Sequence, residues 1–397
     1  MTMKKEMIER IMECMKYPER IRNVATSSHV HHGKCVSGKT LIFLENGPIT
    51  AKELFEMAKK DGILQKKGQE EVYKLKKPLS VLTYKNGAIS RGLLTHAWKI
   101  ENSDELIEVE TRDGRRVRVT PEHKFLILKD GKIEEKEARF LERGELLVLP
   151  AYLPLASSTL KELKSLFLER LSEDYSFLIY LQEELKKEIH KRIIDYGREK
   201  IWKEIGSKLD LLSFYHGVWK GRYRISDLVK IARKFGIGLS RIYDESAYIS
   251  YMKGIKRYGS KTSVKIKLPK TEKEFIDFFY LLGLLFGDGS SNVTFDNNNP
   301  MLLRKVIQIS RKVMGINPTL KKYGSRCSRI HLNGGLTLRF LLNRIFNYPL
   351  KSKAKNLKIP EILFTLPLNL LSSFIRGYFD TDGSVHQAAY ISSASRE

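Results

Sequence analysis

The stretch HHGKCVSGKTLIFLENGPIT, residues 31–50, decides between two folds. Residues Gly33–Thr40 within it fit the phosphate-loop pattern G-x-x-x-x-G-K-[ST]. Such a loop lies between a buried strand and the N-terminus of a helix, where backbone N–H groups face the phosphates. The preceding residues NVATSSHVHH are too polar for a central strand, and the following LIFL runs into Asn46-Gly47, a hairpin signal. We therefore reject a working phosphate loop at Gly33–Thr40 and predict β-structure after Cys35.

The β pattern continues from Cys35 to about Pro150. Three more hairpin dipeptides occur there, each flanked by strand-like runs: Asn86-Gly87, Asp113-Gly114 and Asp130-Gly131. A short helix is expected over Ala51–Lys60. Short strands joined by tight turns are typical of an all-β domain.

Helical patterns follow from Ser157 to about Ile205, and Thr159 with Glu162 forms a possible capping box. The basic segment WKGRYRISDLVKIARKFGIGLSRIY then predicts two helices around a turn at Gly236 and Gly238, with Ser226 as a possible cap. A helix-turn-helix that binds DNA and an ordinary helical hairpin both fit this segment.

The pattern after residue 266 is mixed, as in an α+β domain. Thr271 and Glu274 form a second capping box ahead of a helix that is apolar nearly all round and should be buried. Further helices are expected from Pro300 and from Leu336, with strands at SNVTF and RIHL.

Two nine-residue segments near the end of the chain repeat one pattern. LLGLLFGDG, residues 281–289, and IRGYFDTDG, residues 375–383, both have Gly third, Asp eighth and Gly ninth. Each closes an apolar helix. The small residues leave one face of each helix without bulk, so that two parallel helices could pack closely: Gly283, Gly287, Gly377 and Thr381.

Such packing would bring Asp288 and Asp382 together at the negative poles of two helix dipoles, which favour bound cations. Paired carboxylates there can hold Mg²⁺ against scissile phosphates. The alternative is that Asp-Gly merely ends two core helices.

Charge supports a polyanionic partner. The chain has 397 residues and a formal net charge of +25, and residues 301–397 carry sixteen Lys or Arg against four Asp or Glu. Concentrated positive charge indicates nucleic acid, although a generally basic proteome would also explain it. The three cysteines are too far apart to indicate a disulfide framework or a zinc site. With neither a signal peptide nor a run of eighteen apolar residues, we expect a cytoplasmic protein with no membrane partner.

The repeat closely resembles the LAGLIDADG homing endonucleases. The resemblance implies a Mg²⁺-dependent nuclease that cleaves double-stranded DNA, with Asp288 and Asp382 as metal-binding catalytic residues. Lys358, in NLKIPEI, matches a lysine that this family places near its active site.

The start of the β region resembles an intein. CVSGKTLIFLENGPITAKELF, residues 35–55, resembles the opening of an intein, and Thr120-Pro-Glu-His123 matches the family's T-x-x-H signature. The resemblance implies an all-β, horseshoe-shaped Hint splicing domain in which Cys35 attacks the carbonyl of Lys34. His123 would hydrogen-bond or protonate the departing nitrogen, and Thr120 would help to orient the scissile peptide. Lys39 departs from the Gly-Asp-Thr that inteins often have.

Residues 1–34 resemble the N-terminus of archaeal elongation factor 2, a translocation GTPase. PERIRN, residues 18–23, and the ending HVHHGK, residues 29–34, carry the likeness. The resemblance implies a host interrupted in its phosphate loop, with Gly33 and Lys34 as half of that loop. GTP and the ribosome would then be partners of the spliced host only. His31 departs from the family, and no N-K-x-D motif occurs, so this chain alone should not hydrolyse GTP.

An intein ends with His-Asn, which the sequence lacks. We therefore expect a missing C-terminal segment or partner chain, with a split intein half, a truncated gene and an incomplete sequence all open.

The predicted domains are an N-extein at 1–34, the N-terminal part of the splicing domain at 35–155, a helical insert at 156–265 and an endonuclease at 266–397. A DNA-binding regulator with degenerate nuclease helices, or a translation GTPase proper, are the alternatives.

Overall fold

The chain divides into two compact units, on either side of residue 154. Residues 1–34 lie outside the part that the computed structural model describes. The helical spacing of Met7, Ile8, Ile11, Met12 and Met15 predicts an amphipathic helix at 3–17, which falls among these residues. The described residues are 35–45, 47–66, 70–85, 88–100, 106–112, 114–150, 157–252, 264–323, 327–385 and 389–391.

The first unit consists mainly of antiparallel strands. A five-stranded sheet has the order β2-β1-β4-β3, with β5 also paired to β4; β10-β8-β9 and β6-β7 form two smaller sheets. The predicted helix is confirmed as α1, capped by Thr50 and Glu53. The elements are β1 (Leu41–Leu44), β2 (Gly47–Thr50), α1 (Ala51–Asp61), β3 (Ile63–Lys66), β4 (Glu70–Lys85), β5 (Ala88–Ile100), β6 (Ile107–Glu110), β7 (Arg116–Val119), β8 (Lys124–Lys129), β9 (Lys132–Glu137) and β10 (Leu146–Leu147).

The turn residues account for the hairpins. Lys129 pairs with Lys132, and between them Asp130 and Gly131 have φ angles of 49° and 75°, as a type I′ turn requires. The first hairpin turns one residue earlier than predicted, because Gly47 is already paired with Leu44. Strand β1 follows Thr40 directly, so no helix begins where a phosphate loop would need one.

The second unit combines helices with three antiparallel sheets, ordered β12-β11-β13, β14-β16-β15 and β17-β18. Both predicted capping boxes, at Thr159 and Thr271, are confirmed. The elements are α2 (Leu160–Ser172), β11 (Phe177–Leu181), α3 (Glu183–Tyr196), α4 (Arg198–Ile205), α5 (Leu211–Trp219), β12 (Arg222–Arg224), α6 (Ile225–Phe235), α7 (Leu239–Asp244), β13 (Ser246–Tyr251), α8 (Glu272–Asp288), β14 (Thr294–Asn297), α9 (Pro300–Met314), β15 (Thr319–Tyr323), β16 (Cys327–His331), α10 (Gly335–Phe346), α11 (Lys353–Asn356), α12 (Leu368–Asp382), β17 (Gly383–Val385) and β18 (Ala389–Ile391).

The prediction of a separate helical insert at 156–265 is wrong in two respects. The region contains the sheet β12-β11-β13, whose central strand is the apolar run FLIYL. It also shares one hydrophobic core with the residues after 266. Phe167 in α2 illustrates this, since its ring contacts Phe275, Phe278 and Phe346 edge-on.

The predicted helix-turn-helix corresponds to α6 and α7, joined at Gly236, which has a φ of 67°. Ser226 does not cap α6, because Arg224 occupies the N-cap position and Ser226 lies within the helix. Helix α7 has six residues, about 9 Å of helix, and buries Ser240 and Tyr243. So short and buried a helix is better explained as half of a packed hairpin than as a reader of DNA.

Within the described residues, no helix is both long and apolar enough to cross a bilayer.

Candidate functional site

In the first unit, the motif Thr120-Pro-Glu-His123 forms a tight turn at the end of β7. The backbone N–H of His123 donates to the carbonyl oxygen of Thr120 at 3.0 Å, which closes a β-turn with Pro121 in its second position. The carbonyl of His123 in turn accepts from the N–H of Ala138 at 2.7 Å. These backbone bonds explain the T-x-x-H spacing, because they hold both side chains on one short turn.

The same turn lies beside Cys35. Val36 forms an antiparallel bridge with Val119, the last residue of β7. The N–H of Thr120 donates to the carbonyl oxygen of Cys35 at 3.2 Å. The structure therefore brings Cys35, Thr120 and His123 together, as the sequence predicts.

Burial sets the protonation of both reactive groups. It lowers the pKa of the His123 imidazole, and a hydrogen bond to the backbone of Cys35 only partly opposes this shift. It also raises the pKa of the Cys35 thiol, with smaller contributions from the carboxylates of Glu70 and Glu122. At neutral pH the site therefore holds a neutral imidazole, able to accept a proton, beside a protonated thiol.

Two buried atoms at this site lack a hydrogen-bond partner. They are Thr120 Oγ1 and His123 Nδ1, and neither has one among the residues that the structure describes. A buried polar atom without a partner costs about 1–3 kcal/mol, so such atoms call for an explanation. The peptide group between Lys34 and Cys35 would supply partners of the right kind.

In the second unit, α8 and α12 pack as a close parallel pair. The Asn369 amide donates a hydrogen bond to the Glu272 carboxylate, and the Ser373 hydroxyl donates one to the carbonyl oxygen of Ile276. These contacts advance along both helices in the same direction, so the helices are parallel. A Cβ placed on Gly283 would collide with the carbonyl oxygen of Phe374 and lie 2.7 Å from the nitrogen of Tyr378. The predicted role of the small residues is thus confirmed.

The packing places Asp288 and Asp382 at the same end of the pair. Burial raises the pKa of the Asp382 carboxyl and the negative charge of Asp288 raises it further, while Lys353 opposes both effects. Asp288 accepts a hydrogen bond from the Asn297 amide at 2.6 Å. The two carboxylates therefore share one half-buried site.

Lys353 also lies at this site, although no sequence motif indicates it. Its ammonium donates to the carbonyl oxygen of Gly287 and is attracted by both aspartates, but burial dominates and lowers its pKa to about 8. Lys358, the residue chosen from sequence, is exposed, and its role stays a prediction. In KSKAKNLK several lysines lie close together, and only the folded chain distinguishes them.

The oxygen atoms at this site are of the kind that divalent cations bind. Among the described residues no group of three His, Cys, Asp or Glu could hold a metal. However, Mg²⁺ commonly takes one or two protein carboxylates and completes its shell with water and substrate phosphates. If a cation binds here, Asp288, Asp382 and the carbonyl of Gly287 are the oxygen atoms that would contact it, and that carbonyl now accepts a hydrogen bond from the Lys353 ammonium.

Comparison with known proteins identifies relatives of the chain. It is 36% identical to elongation factor 2 of Methanopyrus kandleri over 402 residues, covering 99% of this chain and 31% of the relative. It is 29% identical to a probable translation initiation factor IF-2 of Thermococcus kodakarensis over 372 residues, covering 92% of this chain and 29% of the relative. The chain thus spans about a third of the length of these curated relatives.

Solved structures and a family model complete the comparison. The crystal structure of the TvoVMA intein is 36% identical, with a TM-score of 0.27, and the match covers 28% of this chain and 67% of that one. The model of the intein splicing domain matches residues 42–313. This match spans more than half of the residues of the chain, so the chain belongs to the intein splicing domain family.

Proposed function

We propose that the chain is the N-terminal part of an intein-containing elongation factor 2 precursor and that Cys35 starts its splicing. The observation that carries the proposal is the pair of unpartnered buried atoms, Thr120 Oγ1 and His123 Nδ1, beside Cys35. Family membership supports splicing as the reaction, and the likeness to elongation factor 2 of Methanopyrus kandleri supports the host.

The reaction begins with an N–S acyl shift. The neutral His123 takes the thiol proton, and the sulfur of Cys35 attacks the carbonyl carbon of Lys34. The C–N bond to Cys35 then breaks, a thioester forms, and the proton held by His123 passes to the departing nitrogen. Thr120 Oγ1 holds the peptide group in position. No group outside the chain is consumed, so the step is an isomerisation of one peptide bond.

The test is incubation of the full chain with a small thiol, followed by mass spectrometry. Wild type should release a fragment ending at Lys34, and Cys35→Ala should release none. His123→Ala should slow release by about a hundredfold or more, the usual range for a lost acid–base group. Equal release from wild type and Cys35→Ala would rule out the thioester.

Ligation of the flanking sequences would follow as a later step, involving a C-terminal intein segment or partner chain, and the host GTPase would be complete only afterwards. Gly33 and Lys34 would then contribute to binding GTP in a cytoplasmic host that acts on the ribosome.

A second function, DNA cleavage as in LAGLIDADG nucleases, is favoured by one specific observation. The glycine-packed helices α8 and α12 carry Asp288 and Asp382 to a single end, where a buried ammonium also lies. Bound Mg²⁺ would stabilise negative charge on a scissile phosphate and lower the pKa of attacking water. The two aspartates would hold the ion, and Lys353 would contact the phosphate or orient the water.

Cleavage of double-stranded DNA libraries in Mg²⁺ buffer tests this function. Asp288→Asn and Asp382→Asn should each reduce cleavage by at least about a hundredfold, because a charged metal ligand is lost. Lys353→Gln should impair cleavage more than Lys358→Gln, its neighbour in sequence. Cleavage that survives both Asp→Asn changes would contradict the assignment.

A further inference from the structure

A groove distinct from both sites runs along the second unit between α8, α9 and α12. Its volume is about 390 Å³, and one face of each helix lines it. Its lining includes the apolar or aromatic side chains of Ile276, Tyr280 and Ile309. Tyr280 lies eight residues before Asp288 on α8, and Arg376 lies six residues before Asp382 on α12, so these groove residues are about 9–12 Å from the aspartate pair along the helix axes.

Positive charge surrounds the groove. Four cations line it against a single lining carboxylate, Asp277, which is already paired with Lys312 at 3.0 Å. The four cations are Lys273, Lys305, Lys312 and Arg376. Within the described chain, Lys273 has no ion pair with an acidic residue, so its charge is available to a ligand.

Two of the cations converge on one ring. The Lys305 ammonium lies 4.9 Å from the ring centroid of Tyr280, and the Arg376 guanidinium lies 6.0 Å from it, although they come from α9 and α12. The Tyr280 hydroxyl donates to Asp380, a carboxylate beside the groove, and accepts from Lys305 at 3.3 Å. Tyr280 thereby contacts one cation from each of the two other helices that line the groove.

We propose that this groove binds a small polyphosphate anion, such as pyrophosphate, tripolyphosphate or the phosphate tail of a nucleotide. Guanidinium and ammonium groups are the usual partners of phosphate oxygens, and several cations around one cavity match a ligand with several charges. Helices on three sides and a volume of this size suit a small molecule, whereas a duplex needs an open surface. A phosphate bridging Lys305 and Arg376 would tie α9 to α12 across α8.

The experiment is calorimetric titration of the full chain with tripolyphosphate, in EDTA and at constant ionic strength. Wild type should bind tripolyphosphate more tightly than sulfate. The double variant K305Q/R376Q should lose about tenfold or more in affinity, because each lost charge-assisted bond commonly contributes that much. K161Q/K187Q removes the same charge from exposed positions outside the groove and should bind like wild type.

Other outcomes have defined meanings. Equal affinities in the two double variants, or no binding by wild type, would overturn the proposal. If K305Q/R376Q does not fold, K273Q tests the same groove at an exposed side chain and should weaken binding severalfold. If duplex DNA competes with tripolyphosphate, the ligand of the groove is a DNA phosphate, and the proposal of a small polyphosphate is overturned. The variant D288N/D382N should keep binding, which separates this site from the proposed nuclease.

Discussion

At the residue scale, the intein resemblance anticipated Cys35, Thr120 and His123, and the fold explains why they meet. The bridge between Val36 and Val119 places the thiol beside the turn. Of the two carboxylates that influence the thiol, Glu122 belongs to the motif itself, whereas Glu70 is 35 residues away in β4 and could not be predicted in the same way. Sequence motifs report residues that share a turn, whereas electrostatic neighbours depend on the folded chain.

The raised pKa of Cys35 predicts an unusual pH dependence of its alkylation. A thiolate forms only as the pH rises through the pKa, and burial moves that pKa above its usual value of 9.0. Alkylation by iodoacetamide should therefore still accelerate above pH 9, as followed by peptide mass spectrometry. The urea-unfolded chain is the control and should reach its plateau at lower pH; coincident profiles would contradict the buried thiol.

The lowered pKa of His123 predicts that thioester formation tolerates mild acid. The neutral imidazole persists below pH 6.5, because the folded site binds a proton less readily than the unfolded chain does. With Lys34 release as the readout, the contribution of His123 should remain until the pH falls below 6.5. The ratio of wild-type to His123→Ala rates measures it, and a loss of that ratio already above pH 6.5 would be inconsistent with a buried neutral imidazole.

Lys353 should be acylated at lower pH than an ordinary lysine. With a pKa of about 8, its amine is half neutral near pH 8, whereas a lysine of pKa 10.5 is almost fully charged there. Labelling with acetic anhydride across a pH series should give a midpoint near 8 for the Lys353 peptide. Unfolding in urea should move the midpoint toward 10.5, and an unchanged midpoint would argue against burial.

At the element scale, the sequence predicts local features such as helix caps and turns, but it does not predict which distant strands pair. The capping boxes at Thr159 and Thr271 and the Asp130-Gly131 turn depend on neighbouring residues, which the sequence displays. Strand β11 was missed, because a five-residue apolar run fits a buried helix or a strand equally well. Its partners, β12 and β13, lie more than forty residues further along the chain.

Gly283→Ala should destabilise the second unit strongly. Its new Cβ would collide with the backbone of α12 near Phe374 and Tyr378, which cannot move aside as a flexible side chain could. Overpacking of this kind costs about 1–3 kcal/mol, so the urea midpoint followed by tryptophan fluorescence should fall.

Gly238→Ala is the matched control. Its φ of −64° suits alanine, and a Cβ there would meet only Ser240 Oγ at 4.0 Å. Its free energy of unfolding should stay within about 0.5 kcal/mol of that of wild type. A Gly283→Ala variant as stable as this control would show that α8 and α12 are less closely packed than described.

At the scale of the whole molecule, the described chain after residue 157 shares one hydrophobic core where its sequence predicts two domains. The boundary predicted at 265 does not separate two domains, because aromatic residues from both sides of it share one core. Side chains that pack together can come from distant segments, and composition changes along the chain do not reveal which segments share a core. The boundary near 155 agrees with the division into two compact units.

Binding of duplex DNA should weaken steeply with salt, in keeping with the charge of +25. Each phosphate contact releases a counterion and adds about −0.9 to the slope of log affinity against log salt. Fluorescence anisotropy titrations between about 50 and 200 mM salt measure this slope. A DNA affinity that does not change with salt would contradict nucleic acid as the partner of this positively charged chain.

The Thr120–His123 turn has a practical consequence. It is closed by backbone bonds among residues 120–138 and by contacts with Cys35 and Val36, all of which follow the scissile bond. An unrelated polypeptide fused directly before Cys35 would therefore lie beside the same His123 imidazole as residues 1–34 do in the proposed reaction. Such a fusion should shed its cargo as an activated ester when a mercaptan is added, ready for joining to a synthetic peptide.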